Sequence, residues 1–170
     1  MKIEKQLSKE EIFSTVEKSL EGEGFKVVSK DKERPWGGFF VIDENQINSF
    51  KKKFFPEVEL TPEQLKNKLS PKILLVGPGK RLSWQYHHRR AEIWKLIAGE
   101  GGIIRSETNE EGSLKPMETG QSVRLKQGER HRLVGLENWG MVAEIWMHTD
   151  PQNPSDESDI VRVQDDFERK

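Results

Sequence analysis

The stretch LSWQYHHRRAEIW, residues 82–94, combines two histidines, two arginines, a glutamine and a glutamate with two tryptophans. Soluble proteins rarely enclose so many polar groups among bulky apolar ones unless the polar groups have a use. Because side chains alternate along a strand, Gln85 and His87 face the same way. A short turn would bring Glu92 back on the next strand, and His131 follows a later glycine turn. These four side chains are candidates to converge on one point.

The candidate ligands Gln85, His87, Glu92 and His131 supply two imidazoles and two oxygen donors. This set suits a borderline divalent ion, above all Zn²⁺, with Mn²⁺, Fe²⁺, Co²⁺ and Ni²⁺ as competitors. Only one ligand is anionic, so a bound ion would keep about one net positive charge, which can polarise a substrate oxygen or stabilise an enediolate. A single histidine in a strand is more often structural, so the metal hypothesis depends on all four residues together.

Strand patterns dominate the chain from Lys72 onward and must position these ligands. Seven short β-type runs are separated by Gly, Asn, Asp or Pro: KILLVG, RLSWQYHH, EIWKLIAG, GIIRS, QSVRLKQG, HRLVG and MVAEIWMH. Their spacing is typical of a β-sandwich or barrel. An earlier run, RPWGGFFVID, is predicted as a strand that enters the main body. The polar tail PQNPSDESDIVRVQDDFERK is expected either to pack across the barrel or to fray.

Helix signals crowd the first 70 residues. Three pairs have the capping-box pattern, namely Ser8 with Glu11, Asp43 with Gln46, and Thr61 with Gln64. The first pair precedes apolar residues at helical spacing, and Pro62 follows the third cap at the first helical position. We therefore predict one longer helix and two short helices that flank FKKKFFPEV.

Composition excludes several classes of protein. The formal charge of -1 arises from 28 basic and 29 acidic residues, so no long-range field favours nucleic acid or an anionic membrane. The absence of cysteine excludes disulfides and thiolate metal sites. No apolar run approaches the roughly 20 residues of a membrane span, and the N-terminus lacks the apolar core of a signal peptide. We expect a soluble, cytoplasmic protein whose partner is a small molecule.

The ligand-bearing segments resemble the two cupin motifs. In GKRLSWQYHHRRAEIWKLIAG, the glycines and ligands follow the spacing of the first motif, with Gln85 where many cupins have histidine. GQSVRLKQGERHRL, which contains His131, is similar to the second motif, although Lys126 replaces the usual proline. Together with RPWGGFF, PKILLVGPG and DESDIVRVQDDF, these segments resemble the type II phosphomannose isomerase domain, which also forms the C-terminal part of bifunctional mannose-1-phosphate guanylyltransferases. The resemblance covers about residues 34–169.

The resemblance implies a mainly β, jelly-roll cupin barrel over residues 34–170. The helix signals predict a helical N-terminal extension, residues 1–33, outside the shared core. The resemblance implies that Gln85, His87, Glu92 and His131 bind the metal. It also implies a metal-dependent isomerase that converts mannose 6-phosphate to fructose 6-phosphate through a cis-enediolate.

Departures from the family pattern fall outside the four ligands. Arg89 stands where the family commonly has a third histidine, Ile93 replaces a histidine, and Trp146 stands near the place of a glutamine. The ending DDFERK replaces the usual Tyr-Gly-Arg. Metal binding is therefore still expected, but the residues that recognise the sugar are left open.

A proton carrier is sought in MVAEIWMH, where alternation places Glu144, Trp146 and His148 on one face. A glutamate enclosed by tryptophan is poorly solvated, which would raise its pKa toward the range of a general base. Glu144 is therefore one catalytic candidate, and Lys72 is the other. In the alternative, Glu144 accepts a hydrogen bond from an arginine or orients a metal-bound histidine; His148 and Asp159 are then further candidates for the base.

The phosphate of the substrate needs cationic donors at the cavity mouth. Arg34, Arg81 and Arg132 are the predicted substrate-binding residues, and Lys72 is a further candidate. Arg132 is favoured because it follows His131 in the motif, although strand alternation points it away from the ligand face.

Other functions stay open at this stage. The barrel could isomerise another sugar or sugar phosphate, such as a heptose, glucose, fructose or pentose derivative, by the same enediol chemistry. It could also be a non-catalytic cupin that binds a metal and a sugar, or an iron oxygenase, against which Gln85 argues. The native metal is also left open, as is the formation of a homodimer.

Overall fold

The computed structural model describes residues 1–169, and the last residue of the predicted barrel domain lies outside them. Its first helix, α1, spans Lys9–Gly22 and begins at the predicted capping box. The Ser8 side chain accepts from the Glu11 backbone amide, and the Glu11 carboxylate accepts from the Ser8 amide. The apolar face of α1 is buried, as its helical spacing predicts. No helix among the described residues is long and apolar enough to span a membrane.

The second predicted helix is shifted along the chain. Asp43 caps a short 3₁₀ turn, Glu44–Gln46, and helix α2 then spans Ile47–Phe54, so it contains the lysine run instead of preceding it. The Gln46 side chain, predicted to complete a capping box, instead bonds the backbone of Gly24 and Lys26. The third prediction is confirmed, since Thr61 and Gln64 form a capping box at α3, Pro62–Leu65.

The remaining regular structure is antiparallel β-sheet. The strands are β1 Val27–Asp31, β2 Gly37–Ile42, β3 Lys72–Val76, β4 Trp84–Tyr86, β5 Arg90–Gly99, β6 Gly102–Ser106, β7 Lys115–Pro116, β8 Ser122–Leu125, β9 Arg130–Val134, β10 Gly140–His148 and β11 Val161–Gln164. One sheet has the order β1-β2-β3-β10-β5-β8, and the other has the order β11-β4-β9-β6-β7. The two sheets form the predicted cupin barrel. Strand β11 pairs with β4, so the polar tail packs on the barrel.

Two apolar clusters cover the two faces of the larger sheet. One cluster lies between that sheet and the helices, where Phe13 of α1 packs on Phe40 of β2 with ring centroids 5.2 Å apart. The other lies between the two sheets and includes Trp94 and Val142. Neighbouring residues such as Ile93 and Trp94 belong to different clusters because side chains alternate along β5. Strands β5 and β10, which carry Glu92 and Glu144, are thus packed on both faces.

Helix α1 and strand β1 are the regular elements of the predicted extension, residues 1–33. Strand β1 pairs with β2, and the buried face of α1 belongs to the same apolar cluster as β2 and β10. The extension therefore contains a strand as well as the predicted helix; β1 is the edge strand of the larger sheet, and α1 packs on a face of that sheet.

A glycine after β9 tests how tightly the histidine-bearing strand is held. A Cβ at Gly135 would lie 1.9 Å from the carbonyl oxygen of Gly77, whereas a Cβ at Gly22 would meet nothing within 4 Å. Gly135→Ala is therefore expected to lower the free energy of unfolding by about 1–3 kcal/mol through overpacking. Gly22→Ala, in α1, should leave it unchanged or raise it by up to about 1 kcal/mol. Urea titration of both variants measures the difference, and equal effects would contradict the close packing at Gly135.

Candidate metal centre and cavity

The candidate ligands come from three strands and one strand end. Gln85 lies on β4, Glu92 on β5 and His131 on β9, while His87 directly follows β4. Gln85 and His131 stand opposite each other in the smaller sheet, and β5 belongs to the facing sheet. One ligand atom each from His87, Glu92 and His131 lies within 4.8 Å of the others, and all three residues are buried. The structure thus brings these residues together as the sequence predicts.

Backbone carbonyls fix the orientation of both imidazoles. His87 Nδ1 lies 2.6 Å from the carbonyl oxygen of Asp159, and His131 Nδ1 lies 3.0 Å from that of Glu129. A carbonyl only accepts, so Nδ1 carries the hydrogen and Nε2 of the neutral ring carries a lone pair. Both Nε2 atoms are buried without a hydrogen-bond partner. They face Glu92, at 3.0 Å for His87 and 3.7 Å for His131.

This arrangement fits a cation. Two nitrogen lone pairs and a carboxylate face one another, and such buried acceptors are costly unless a donor or a positive ion lies between them. Imidazole nitrogens and a carboxylate oxygen are common ligands of divalent transition metals. The chain therefore carries a group of His87, Glu92 and His131 that could bind a metal ion.

The protonation states suit metal binding. Burial would raise the pKa of Glu92, but His87, Arg90 and His131 outweigh it and hold that pKa well below its ordinary value. Burial lowers the pKa of His131 to about 4, although the Glu92 charge opposes this. At neutral pH the carboxylate is ionised and the His131 ring is neutral, as metal ligands must be.

Gln85, the fourth predicted ligand, is buried on the inner face and lines the cavity. Its amide nitrogen lies 3.5 Å from the carbonyl oxygen of Ser83. With the nitrogen held toward this acceptor, the amide oxygen is the end that can face a cation. The position agrees with the predicted role, and ligation by Gln85 stays a prediction.

A cavity of about 550 Å³ opens between the sheets beside the ligand group. This volume is in the range of sites for small organic ligands. Six basic and three acidic side chains line it, namely Arg34, Lys68, Lys72, Arg90, Arg162 and Arg169 with Glu92, Glu144 and Glu157. The excess of positive charge favours an anionic ligand.

Glu144 lies in this cavity on β10, opposite both Lys72 and Trp94. Its carboxylate accepts a hydrogen bond of 2.7 Å from the Trp94 indole nitrogen. Burial and the charge of Glu92 raise the pKa of Glu144 to about 7, although Lys72 and Arg90 oppose the rise. The direction agrees with the sequence-based expectation. The alternative partners predicted for Glu144 were an arginine or a metal-bound histidine, and the observed donor is a tryptophan.

Lys72, the second catalytic candidate, also lines the cavity. Its ammonium lies 2.6 Å from the Glu157 carboxylate and 4.6 Å from the centre of the Trp146 ring. Glu157 is mostly exposed, so the pair lies where the cavity meets solvent. Lys72 is thus near Glu144, but its ammonium group is already paired with the Glu157 carboxylate.

The other candidates for the base lie elsewhere. His148 bonds the backbone of Lys68 and Ser155 through its two ring nitrogens. The Asp159 carboxylate accepts from the backbone amides of His88 and Arg89, and its carbonyl positions His87. These contacts make both residues structural supports of the site.

Only one of the three predicted phosphate donors lines the cavity. Arg34 does so. Arg81 forms a bidentate pair with Asp166, at 2.8 and 2.6 Å, outside the cavity lining. Arg132 is fully buried and bonds the carbonyl of Leu82 and the side chains of Glu111 and Gln164. The structure does not bring Arg81 or Arg132 to the cavity, since strand alternation sends Arg132 to the opposite side from His131.

Three cavity cations had no firm role in the sequence-based prediction. Arg90 bonds Glu92 at 2.9 Å, and its guanidinium lies 3.9 Å from the centre of the Trp146 ring. Arg162 and Arg169 come from the tail, which pattern alone described as polar. The signal was present in DESDIVRVQDDF, where the family resemblance includes an arginine, but nothing in the tail sequence shows which way that side chain points.

Comparison with solved structures supports the fold. The capsular polysaccharide assembling protein CapF from Staphylococcus aureus superposes with a TM-score of 0.50 at 16% identity, over 82% of this chain and 34% of that chain. At this identity the likeness concerns the fold alone.

Two curated bacterial proteins are similar in sequence. The xanthan biosynthesis protein XanB of Xanthomonas campestris is 28% identical over 136 residues, 80% of this chain and 23% of XanB. The mannose-1-phosphate guanylyltransferase ManC of Salmonella typhimurium is 26% identical over 136 residues, 80% of this chain and 22% of ManC. The chain thus spans less than a quarter of the length of either relative.

A family model described as mannose-6-phosphate isomerase C-terminal matches residues 62–165. The matched segment runs from α3 to the tail that follows β11, so it includes the candidate metal ligands, Glu144 and Arg162. The chain therefore belongs to the mannose-6-phosphate isomerase C-terminal family of cupin domains.

Proposed function

We propose that this domain is a metal-dependent aldose-ketose isomerase that interconverts mannose 6-phosphate and fructose 6-phosphate. The observation that carries the proposal is the placement of a buried carboxyl group, Glu144, in a cavity beside the ligand group of His87, Glu92 and His131. An isomerase of this kind needs a proton carrier and a stabiliser of negative charge side by side. The family membership supports the same conclusion.

The proposed cofactor is a divalent metal, with Zn²⁺ as the first choice and Mn²⁺, Fe²⁺, Co²⁺ or Ni²⁺ as alternatives. When bound, the ion would supply the positive charge that stabilises negative charge on the substrate oxygens as the proton leaves carbon. His87, Glu92 and His131 would hold it, with Gln85 as the fourth ligand. The two carbonyls that fix the imidazoles would keep the ligand atoms aimed at the ion.

Glu144 would move the proton between C1 and C2 of the opened sugar through a cis-enediolate. A carboxyl group with a pKa near 7 exists in both protonation states at neutral pH, so it can accept and then return a proton. The Trp94 indole holds one of its oxygens in place, which leaves the other oxygen for the substrate. Lys72 stands across the strand pair, where it can donate to a substrate hydroxyl.

The substrate proposal can be tested directly. Mannose 6-phosphate given to the purified, metal-loaded protein is expected to yield fructose 6-phosphate, measured by a coupled assay against a chelated sample. Glucose, pentose and heptose phosphates serve as comparison substrates. Turnover of one of these alone would redirect the substrate assignment. Binding of sugar phosphates without any turnover would contradict the isomerase and favour a non-catalytic sugar-binding cupin.

The metal centre predicts a selective loss of metal. The purified protein should carry close to one divalent ion per chain, and His87→Ala or His131→Ala should lose it because each removes one of three buried ligands. His88→Ala is the matched control, since His88 is exposed and adjacent to His87. Elemental analysis measures the metal content. Equal metal content in the wild type and in all three variants would contradict the proposed metal site.

Chelation of the same protein should lower its melting temperature without unfolding the barrel, because a ligand that binds only the folded state stabilises it by mass action. The two apolar clusters are independent of the metal and should keep the fold. Complete unfolding at room temperature would instead make the ion chiefly structural.

Glu144→Gln is expected to keep metal and sugar-phosphate binding and to lower turnover by about two to four orders of magnitude. Turnover of the wild type should fall at low pH as Glu144 becomes protonated, and a bound cation should move this limb below 7 by offsetting the charge of Glu92. The variant should lack that limb. Glu118→Gln, at an exposed glutamate, is the control. Near-normal turnover of Glu144→Gln would reject the role, and loss of metal would favour a supporting role.

A further inference from the structure

Strand β11 sends two of its side chains to opposite faces of the smaller sheet. Arg162 stands across from Gln85, so both side chains point to the inner face. The register then shifts, and Gln164 stands across from Trp84. A bulge of this kind re-aims the side chain that follows it. Arg162 therefore faces the cavity beside a predicted metal ligand, while Gln164 faces the other side.

The tail is fastened from the outer side. The Arg132 guanidinium donates to Gln164 at 2.6 Å, and Arg81 forms its bidentate pair with Asp166. Phe167 packs against the apolar cluster between the sheets. These contacts fix the backbone that carries Arg162, so the tail forms a wall of the cavity.

Three arginines share the tail side of the cavity, namely Arg34, Arg162 and Arg169. Burial and the charges of Arg169 and Arg34 lower the pKa of Arg162, so these guanidiniums are close enough to repel one another. Arg34 bonds Asp31 at 2.9 Å, and Arg169 bonds Asp165 at 2.6 and 3.1 Å. Only Nε and Nη2 of Arg169 take part in that pair, and a guanidinium has further N–H donors for a ligand.

Two of the other cavity cations are paired with carboxylates of the lining. Arg90 bonds Glu92, and Lys72 bonds Glu157. These pairs neutralise much of the charge of the two cations. Asp31 and Asp165, the partners of Arg34 and Arg169, do not line the cavity, so the lining on the tail side is the more positive place for an anionic group.

We infer that Arg34, Arg162 and Arg169 form the subsite for the phosphate group of a phosphate monoester. The inference rests on the proposed function, because the ester is the sugar phosphate that would react at the metal. Guanidinium groups present planar forks of donors that match phosphate oxygens, and a dianion relieves the repulsion among three positive charges. Arg162 stands opposite Gln85 on the neighbouring strand, and adjacent strands are about 4.8 Å apart. A small sugar whose carbonyl end lies at the metal ligands can therefore reach Arg162 with its phosphate.

Inorganic phosphate tests the subsite without any need for turnover. Its affinity is measured by calorimetry on the full chain after chelation, so that no metal can bind the anion. The variants are Arg162→Gln and Arg169→Gln, with Arg124→Gln as the control because Arg124 is exposed on β8 and carries the same charge. We expect the dissociation constant to rise about tenfold in each of the first two variants and to stay unchanged in the control. Arg162→Lys, which keeps the charge without the fork, should fall between.

Melting temperatures recorded on the same samples show that each variant is folded. Absence of phosphate binding to the chelated wild type would overturn the subsite, as would equal affinities of the wild type and Arg162→Gln. An equal loss in Arg124→Gln would show a general charge effect and would also overturn it. If phosphate affinity falls in Arg162→Gln and Arg169→Gln but not in Arg124→Gln, the subsite is upheld even when the wild type has no isomerase activity. The lack of activity would then contradict the proposed function alone.

Discussion

Two imidazole nitrogens that face a buried carboxylate set the constraint on which the rest of the barrel depends. His87 and His131 each give their Nδ1 hydrogen to a backbone carbonyl, so their Nε2 atoms approach Glu92 as acceptors. An unsatisfied buried polar group costs about 1–3 kcal/mol. The barrel must therefore hold two such nitrogens beside a buried carboxylate, and strands from both sheets do this. A cation bound between these groups would remove the cost of burying the unsatisfied nitrogens.

The same carboxylate controls the charges around it. Arg90 lies 2.9 Å from Glu92 and helps to keep it ionised, and the resulting negative charge raises the pKa of Glu144. A cation at the ligand group would weaken that influence. Metal binding and the protonation of Glu144 are thus linked through Glu92, although Glu144 is itself outside the ligand group. A metal at the ligand group and the proposed proton carrier would therefore behave as one electrostatic unit.

The sequence predicted which side chains of the candidate site come together, because strand alternation and turn positions decide which side chains share a face. Gln85, His87 and His131 follow that rule. Arg132 also follows the alternation and therefore faces away from the cavity. Its position in the motif had suggested substrate binding instead. Arg162 could not be placed from sequence, because its direction depends on the pairing of β11 with β4. Long-range pairing of a short polar strand leaves no periodic pattern to read.

The shift of helix α2 has a similar cause. The pattern at Asp43 and Gln46 fits a capping box, but the Gln46 side chain finds better-placed partners in the turn that precedes β1. A local signal was overridden by a contact with residues about twenty positions earlier. Local capping is worth about 1 kcal/mol, so one tertiary contact is enough to move a helix start.

Holding Glu144 in the cavity has a consequence for stability as well as for chemistry. Its pKa rises from 4.5 to about 7 on folding of the metal-free chain, so between these values the folded state binds more protons than the unfolded state. The free energy of unfolding must then fall as pH rises through this window, by on the order of 3 kcal/mol in total. The packing of β10 on both faces supplies the stability against which this cost is set, and a cation beside Glu92 reduces it.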